Sequence, residues 1–251
     1  MKRIILAAGC FAMLATTACK NNNDQEANER DQAMVTDTTA QTTKDEWKDL
    51  FNGENLEGWK AYNKDSISSQ WRVEDGALVF TPAEERNGAE NLISKEEFEN
   101  FELKIDWKIS EGGNSGIMWA VQEDEKYGEP YLTGPEIQVL DDERHPDAKN
   151  GPNRLSGSLY DMVPPAKNVV NPAGVWNQEV IHIDHQKNEG WVELNGERIV
   201  EFPVNGEGWN ELVQNSKFAS WDAFAKETKG HLALQDHGHA VSFKNIKIKE
   251  L

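Results

Sequence analysis

Cysteine is almost missing: the 251 residues contain two, Cys10 and Cys19, both within the first nineteen. The rest of the chain therefore has no thiol to pair, so a disulfide framework is excluded and core packing must supply the stability. Long apolar runs are missing as well. The stretch from Ile4 to Leu14 is too short to cross a bilayer, so no membrane-spanning helix is expected. Basic charge is scarce, with 26 Lys and Arg against 44 Asp and Glu, a formal charge of -18. Phosphate backbones demand a basic footprint, which excludes a nucleic-acid partner and favours a neutral or cationic one. Repeated βαβ units are absent, which rules out a parallel α/β sheet. A His-Glu-x-x-His zinc spacing is absent too.

What is present divides the chain into three. Lys2 and Arg3 precede the apolar run, which ends in small residues and Cys19. Residues 1–19 read as a secretory signal. A Cys closing such a segment resembles the bacterial lipoprotein pattern, in which that Cys carries the lipid. The resemblance implies lipidation at Cys19, a place in the bacterial cell envelope, and contact with a membrane only through the anchor. Residues 20–44 are Asn, Asp, Gln, Glu and Thr with little that is apolar, and cannot offset their ordering entropy. They are expected to be a disordered tether ahead of one domain over 45–251.

Within that domain the period is that of strands. "FELKIDWKIS" sets Phe101, Leu103, Ile105, Trp107 and Ile109 against Glu102, Lys104, Asp106, Lys108 and Ser110, the alternation of a half-buried antiparallel strand. "WRVEDGALVF" and "WVELNGERIVEF" read as hairpins about Asp75-Gly76 and Asn195-Gly196, dipeptides that supply positive φ. In "VSFKNIKIKEL" the apolar parity slips between Phe243 and Ile246, as a bulge at Asn245 would cause. Phe218, Trp221 and Ala225 give one helical spacing, predicting a short helix over about 210–226. The expected fold is all-β, an antiparallel sandwich with one short helix.

One polar face stands out. Glu136 and Gln138 share a face in "GPEIQVLDD", with Asp141 and His145 just past the strand end. In "HLALQDHGH", Gln235 and His237 share the face opposite Leu232 and Leu234, with His239 beyond. Such a set suits general acid-base work and the gripping of hydroxyls, and carboxylates with imidazole suit a divalent ion.

The motifs "LFNGENLEGWK", "NSGIMW", "GPEIQVLDD", "SGSLYDMVPP", "WNQEVIHI", "SKF" and "GHLALQDHGHAVSFKNIKIKEL", in that order, resemble the bacterial 3-keto-disaccharide hydrolase family from Trp47 to Leu251. The resemblance implies a concanavalin-like jelly roll that cleaves glycosides oxidised at sugar C3. A ketone at C3 acidifies the C2 hydrogen, and loss of that proton expels the C1 substituent by β-elimination, with water adding afterwards. The catalytic candidates are Glu136, His145 and His237. Asn114, Gln138, Asp141 and Gln235 are candidates for binding hydroxyls, and Trp119 and Tyr160 for stacking on a small carbohydrate substrate. If one divalent metal ion takes part, Glu136, Asp141 and His145 are its candidate ligands. Two other readings stay open: a carbohydrate-binding sandwich that catalyses nothing, and an ordinary glycosidase with paired carboxylates.

Overall fold

The computed structural model describes residues 46–251; the signal segment, the tether and Cys19 lie outside them. Thirteen strands form two sheets, and every strand pairing is antiparallel. The larger sheet runs β11 (Glu197–Phe202), β10 (Glu189–Leu194), β9 (Asn177–Asp184), β6 (Phe101–Ile109), β13 (Val241–Glu250), β4 (Ala77–Phe80) and β3 (Trp71–Glu74), with β1 (Lys48–Asp49) also paired to β13. The smaller runs β2 (Trp59–Ala61), β5 (Leu92–Phe98), β12 (Gly230–Leu234), β7 (Asn114–Val121) and β8 (Glu136–Leu140). The expected sandwich is the fold observed.

Local chemistry explains the elements. β6 alternates as expected, its five apolar residues buried. Both predicted hairpins close on two residues with positive φ, Asp75 and Gly76 at 50° and 73°, Asn195 and Gly196 at 52° and 84°. The bulge in β13 lies where the parity slips. Its register breaks between Lys244 and Lys247, and Asn245 takes φ 52° while its amide donates to Asp106 at 2.7 Å.

The helix is displaced from its predicted span. It runs α1 (Gly206–Gln214), and the stretch after it is a series of turns. Ala219 bonds back to Ser216, Trp221 to Phe218, and Phe224 to Trp221, each through a backbone N–H three residues on. Successive three-residue turns repeat the aromatic spacing of a helix without continuing one. Two glycines, Gly206 and Gly208, hide the real helix from propensity.

Between the sheets lies the core, centred on Phe80, Trp107, Leu103, Ile137, Phe243 and Leu234. A carboxyl is buried with it. Glu179 is 1% exposed and takes the Trp107 indole N–H at 2.5 Å, leaving its other oxygen without a partner. Burial pushes its pKa up to about 8, against the smaller lowering effect of the indole bond. Because the folded value is raised above the ordinary 4.5, Glu179 contributes stability below about pH 4.5 that is lost as pH rises through 8. Glu179→Gln keeps an acceptor for Trp107 and cannot ionise. Thermal melts should therefore match the parent at pH 4.5 and exceed it at pH 9, by about 2 to 4 °C for each kcal/mol regained.

Candidate active site

β7, β8 and β12 are buried along their whole length, so the smaller sheet is covered on both faces. One face meets the core through Ile117, Trp119, Ile137, Val139, Leu232 and Leu234. Strand alternation sends Asn114, Gly116, Glu136 and Gln138 to the other. That second face floors a pocket of about 310 Å³ lined by Asn114, Tyr131, Glu136, Gln138, Tyr160, Lys217, Phe218, Trp221, Gln235 and His237. Its size is at the small end of the range for small-molecule sites, roughly 300 to 1,000 Å³.

Two loops build the walls. The segment after β8 returns along its edge, where Gln138 N–H donates to Ser158 O at 3.1 Å and Tyr160 N–H to Glu136 O at 2.9 Å. That seats Tyr160 beside Glu136. Its hydroxyl donates to Asp147 at 2.9 Å and accepts from Arg154 at 2.6 Å. The turns after α1 form the facing wall: Lys217 N–H donates to Asp161 at 2.6 Å, and Phe218 stacks on Phe224 with centroids 3.9 Å apart. Trp221 packs edge-on to Phe218 and lies 6.0 Å from Tyr131.

The electrostatics centre on Glu136 and Lys217. Glu136 is 7% exposed, and no hydrogen bond from another described residue reaches its carboxyl. Burial pushes its pKa up to about 8, Lys217 and Arg154 pulling down and Asp147 adding to the rise. Lys217 is an exposed residue whose ammonium nevertheless lies 4.3 Å over the Tyr160 ring and 5.0 Å from that of Phe218. Burial lowers its pKa, and Glu136 opposes that shift. Desolvation thus draws a carboxyl up and an amine down within one pocket, which narrows the gap between two groups able to exchange protons with a substrate. The amide oxygens of Asn114 and Gln235 are buried without a partner. Orphaned acceptors of this kind call for donors from a ligand, and sugar hydroxyls supply them.

Gly116 makes room for this carboxyl. A Cβ built there would fall 1.9 Å from Glu136 Oε1. Gly116→Ala must push the carboxyl aside, and should lower turnover at least tenfold while the melting temperature moves by only a few degrees, because a misplaced base loses its geometry before the strand loses its pairing. Unchanged turnover would show that the carboxyl's position is not critical.

Of the residues expected from sequence, the structure brings Asn114, Glu136, Gln138, Tyr160, Gln235 and His237 to this pocket. Trp119 is not among them. It is 3% exposed, turned into the core and stacked 6.1 Å from Phe202, because Gly116 and Met118 hold the pocket parity of β7. Asp141 is also elsewhere. Burial acts to raise its pKa, but Gly112 and Glu143 amides and Arg144 outweigh it and hold the carboxylate low. It closes the strand end on the β6–β7 turn. The expected metal set of Glu136, Asp141 and His145 is accordingly not assembled; the group that converges is His145, His237 and His239. His145 touches the site through His237, their rings 6.0 Å apart, and its Nδ1 caps the turn at Asp147 at 3.2 Å. Lys217, Phe218, Trp221 and Tyr131 were not anticipated, although "SKF" held the first two in plain view.

A small polar pocket walled by aromatics, on one sheet of an antiparallel jelly roll, is the build of a carbohydrate-directed β-sandwich. Comparison with known proteins narrows this. A family model for the 3-keto-alpha-glucoside-1,2-lyase-like domain matches residues 46–249. A 3-keto-disaccharide hydrolase of Bacteroides thetaiotaomicron is 39% identical over 227 residues, covering 80% of this chain and 77% of its own. Two solved structures from Parabacteroides distasonis, described as candidate glycosyl hydrolases, also match. One is 34% identical with a TM-score of 0.76, covering 82% of this chain and 94% of its own. The other is 30% identical with a TM-score of 0.62, covering 82% and 100%. The chain belongs to the 3-keto-disaccharide hydrolase family, a family of glycoside-cleaving enzymes.

Proposed function

We propose that this protein cleaves 3-keto glycosides by removing the C2 proton and expelling the C1 substituent, with water adding to the unsaturated product. Supporting this reading is the juxtaposition of Glu136 and Lys217, one carboxyl raised and one amine lowered in a pocket of otherwise neutral polar groups. The relative named a 3-keto-disaccharide hydrolase supplies the substrate class.

The C2–H and C1–O bonds of the sugar are adjacent, and so are the two groups. In the ionised pair, Glu136 takes the C2 proton and the electrons pass to the C3 oxygen as an enolate. Their return forms the C1=C2 double bond and breaks C1–O, and Lys217 gives its proton to the leaving oxygen. Both groups end neutral; the Glu136 carboxyl exchanges its proton with solvent, and the ionised pair is restored as water adds, its hydroxyl going to C1 and its proton to Lys217 while Glu136 gives a solvent-derived proton to C2. Gln138, Gln235 and His237 border the same space and can hold the enolate oxygen and the ring hydroxyls. No covalent sugar-enzyme bond is required. We propose further that the protein works at the bacterial cell envelope, held by a lipid on Cys19; the secretory character of residues 1–19 and their closing Cys support this.

Incubating the protein with a 3-keto disaccharide and with its unoxidised parent separates the readings. Cleavage of the keto form alone is expected. Cleavage of the parent at a similar rate would make it an ordinary glycosidase, and binding of either without cleavage would make it a carbohydrate-binding module.

A further inference from the structure

His145, His237 and His239 lie together, His237 also lining the pocket, and each offers a ring nitrogen within 4.8 Å of the other two. Ring centroids are 5.5 Å apart for His145 and His239 and 6.0 Å for the other two pairs. The two elements that carry them are unrelated in sequence: His145 follows β8, while His237 and His239 flank Gly238 in the link from β12 to β13. Gly238 has φ 85°, a left-handed conformation that costs other residues more, and the two rings that flank it lie nearly parallel, 10° between their planes. The Nδ1 of His239 is buried with no hydrogen-bond partner. Three imidazoles crowded against one another, one with an orphaned nitrogen, gain little from being there unless something joins them.

We propose that these three histidines form a binding site for one divalent transition metal ion, with its remaining coordination positions open toward the pocket. Three protein ligands with an open fourth position is the pattern of catalytic rather than structural sites, and an all-imidazole set selects zinc, cobalt or iron over magnesium and calcium. At metal–nitrogen bonds of about 2.0 Å the donor atoms of a tetrahedral site stand about 3.3 Å apart. The rings must close by up to about 1.5 Å from the spacing here. His237 and His239 belong to a link outside the strands, where such a side-chain rotation disturbs no ladder bond. Loading also moves a proton on His145: its Nδ1 now accepts the Asp147 amide, and metal on Nε2 puts the proton on Nδ1 and gives up that cap. Arg86 faces His239 but is paired to the buried Asp236 at 2.7 Å, which limits its repulsion of a cation.

His237 lines the same pocket as Glu136, so an open position on this ion faces the bound sugar. Resting on the keto-glycoside reading, the ligand that completes the site is the C3 oxygen of the substrate, on which negative charge develops as C2 is deprotonated.

The test needs no turnover. Chelator-treated protein titrated with cobalt(II) alone should bind one equivalent and develop visible d–d absorption, displaced by zinc(II). His237→Ala and His239→Ala should each weaken binding by more than the ten- to hundredfold typical of losing a supporting group, with melting curves confirming that both fold. Adding a 3-keto sugar to the cobalt form should shift the absorption. Binding below one equivalent, or binding equally tight in the doubly substituted protein, overturns the site. Stoichiometric binding with an absorption blind to the sugar overturns its open face. The metal titration and the cleavage assay fail independently, so loss of the substrate reading leaves the metal result standing, and the reverse.

Discussion

Glu136→Gln lowers turnover of a 3-keto glycoside at least about a hundredfold, the smaller end of what a positioned general base contributes. The substitution preserves shape and hydrogen-bonding reach, so kcat and kcat/KM should fall together. Unfolding cannot be the cause. The Glu136 carboxyl has a pKa raised from 4.5 to about 8, so the stability it contributes is present below about pH 4.5 and lost as pH rises through 8. The amide escapes that loss, and the variant should be at least as stable as the parent above pH 8. The same shift fixes the sign of the pH profile. A base must be deprotonated, so kcat/KM of the parent should climb with pH through about 8, and that limb should vanish in Glu136→Gln. A limb that falls through the same pH would make Glu136 the acid and reverse its role with Lys217.

Lys217→Met should cost about a hundredfold on a 3-keto disaccharide, whose leaving alcohol cannot depart without a proton. The loss should shrink to a few fold on a 3-keto nitrophenyl glycoside, because a stable phenolate leaves unaided. Met keeps an unbranched chain against Tyr160 and Phe218, so the aromatic wall stays supported. An equal loss on both substrates would mean that Lys217 stabilises the enolate or positions the sugar, and that the leaving oxygen takes its proton from another group.

Much of this site was legible before any coordinates. Equal parity of Glu136 with Gln138 is a property of a pleated strand, and it carried that pair on β8 to the pocket face, whereas Gln235 and His237 lie past the end of β12 and reach the pocket from the link to β13. The same rule puts Trp119 in the core, since it shares parity with Ile117; its reading as a stacking residue went against the alternation. Lys217 escaped for a different reason. It sits in a wall of turns whose position is set by a hydrogen bond to Asp161, 56 residues away, and by ring packing among Phe218, Trp221 and Phe224. Nothing local in "SKF" announces such a docking. The histidine group was half visible, as His237 and His239 in one motif, but its third member depends on the turn that returns His145 beside them. The boundaries of α1 were lost to turn chemistry, three-residue turns having mimicked the helical period.

The central claim is that the glycosidic bond breaks only after the C2 proton has left. A 3-keto disaccharide carrying deuterium at C2 tests it directly, with the label counted in the released keto sugar at early times and corrected for loss without enzyme. The account predicts that each turnover strips the deuterium into water and that a proton from solvent replaces it. Keto sugar released with its C2 deuterium intact, and as fast as from the unlabelled substrate, would mean that water attacks C1 directly, and would contradict elimination whatever the effect of Glu136→Gln.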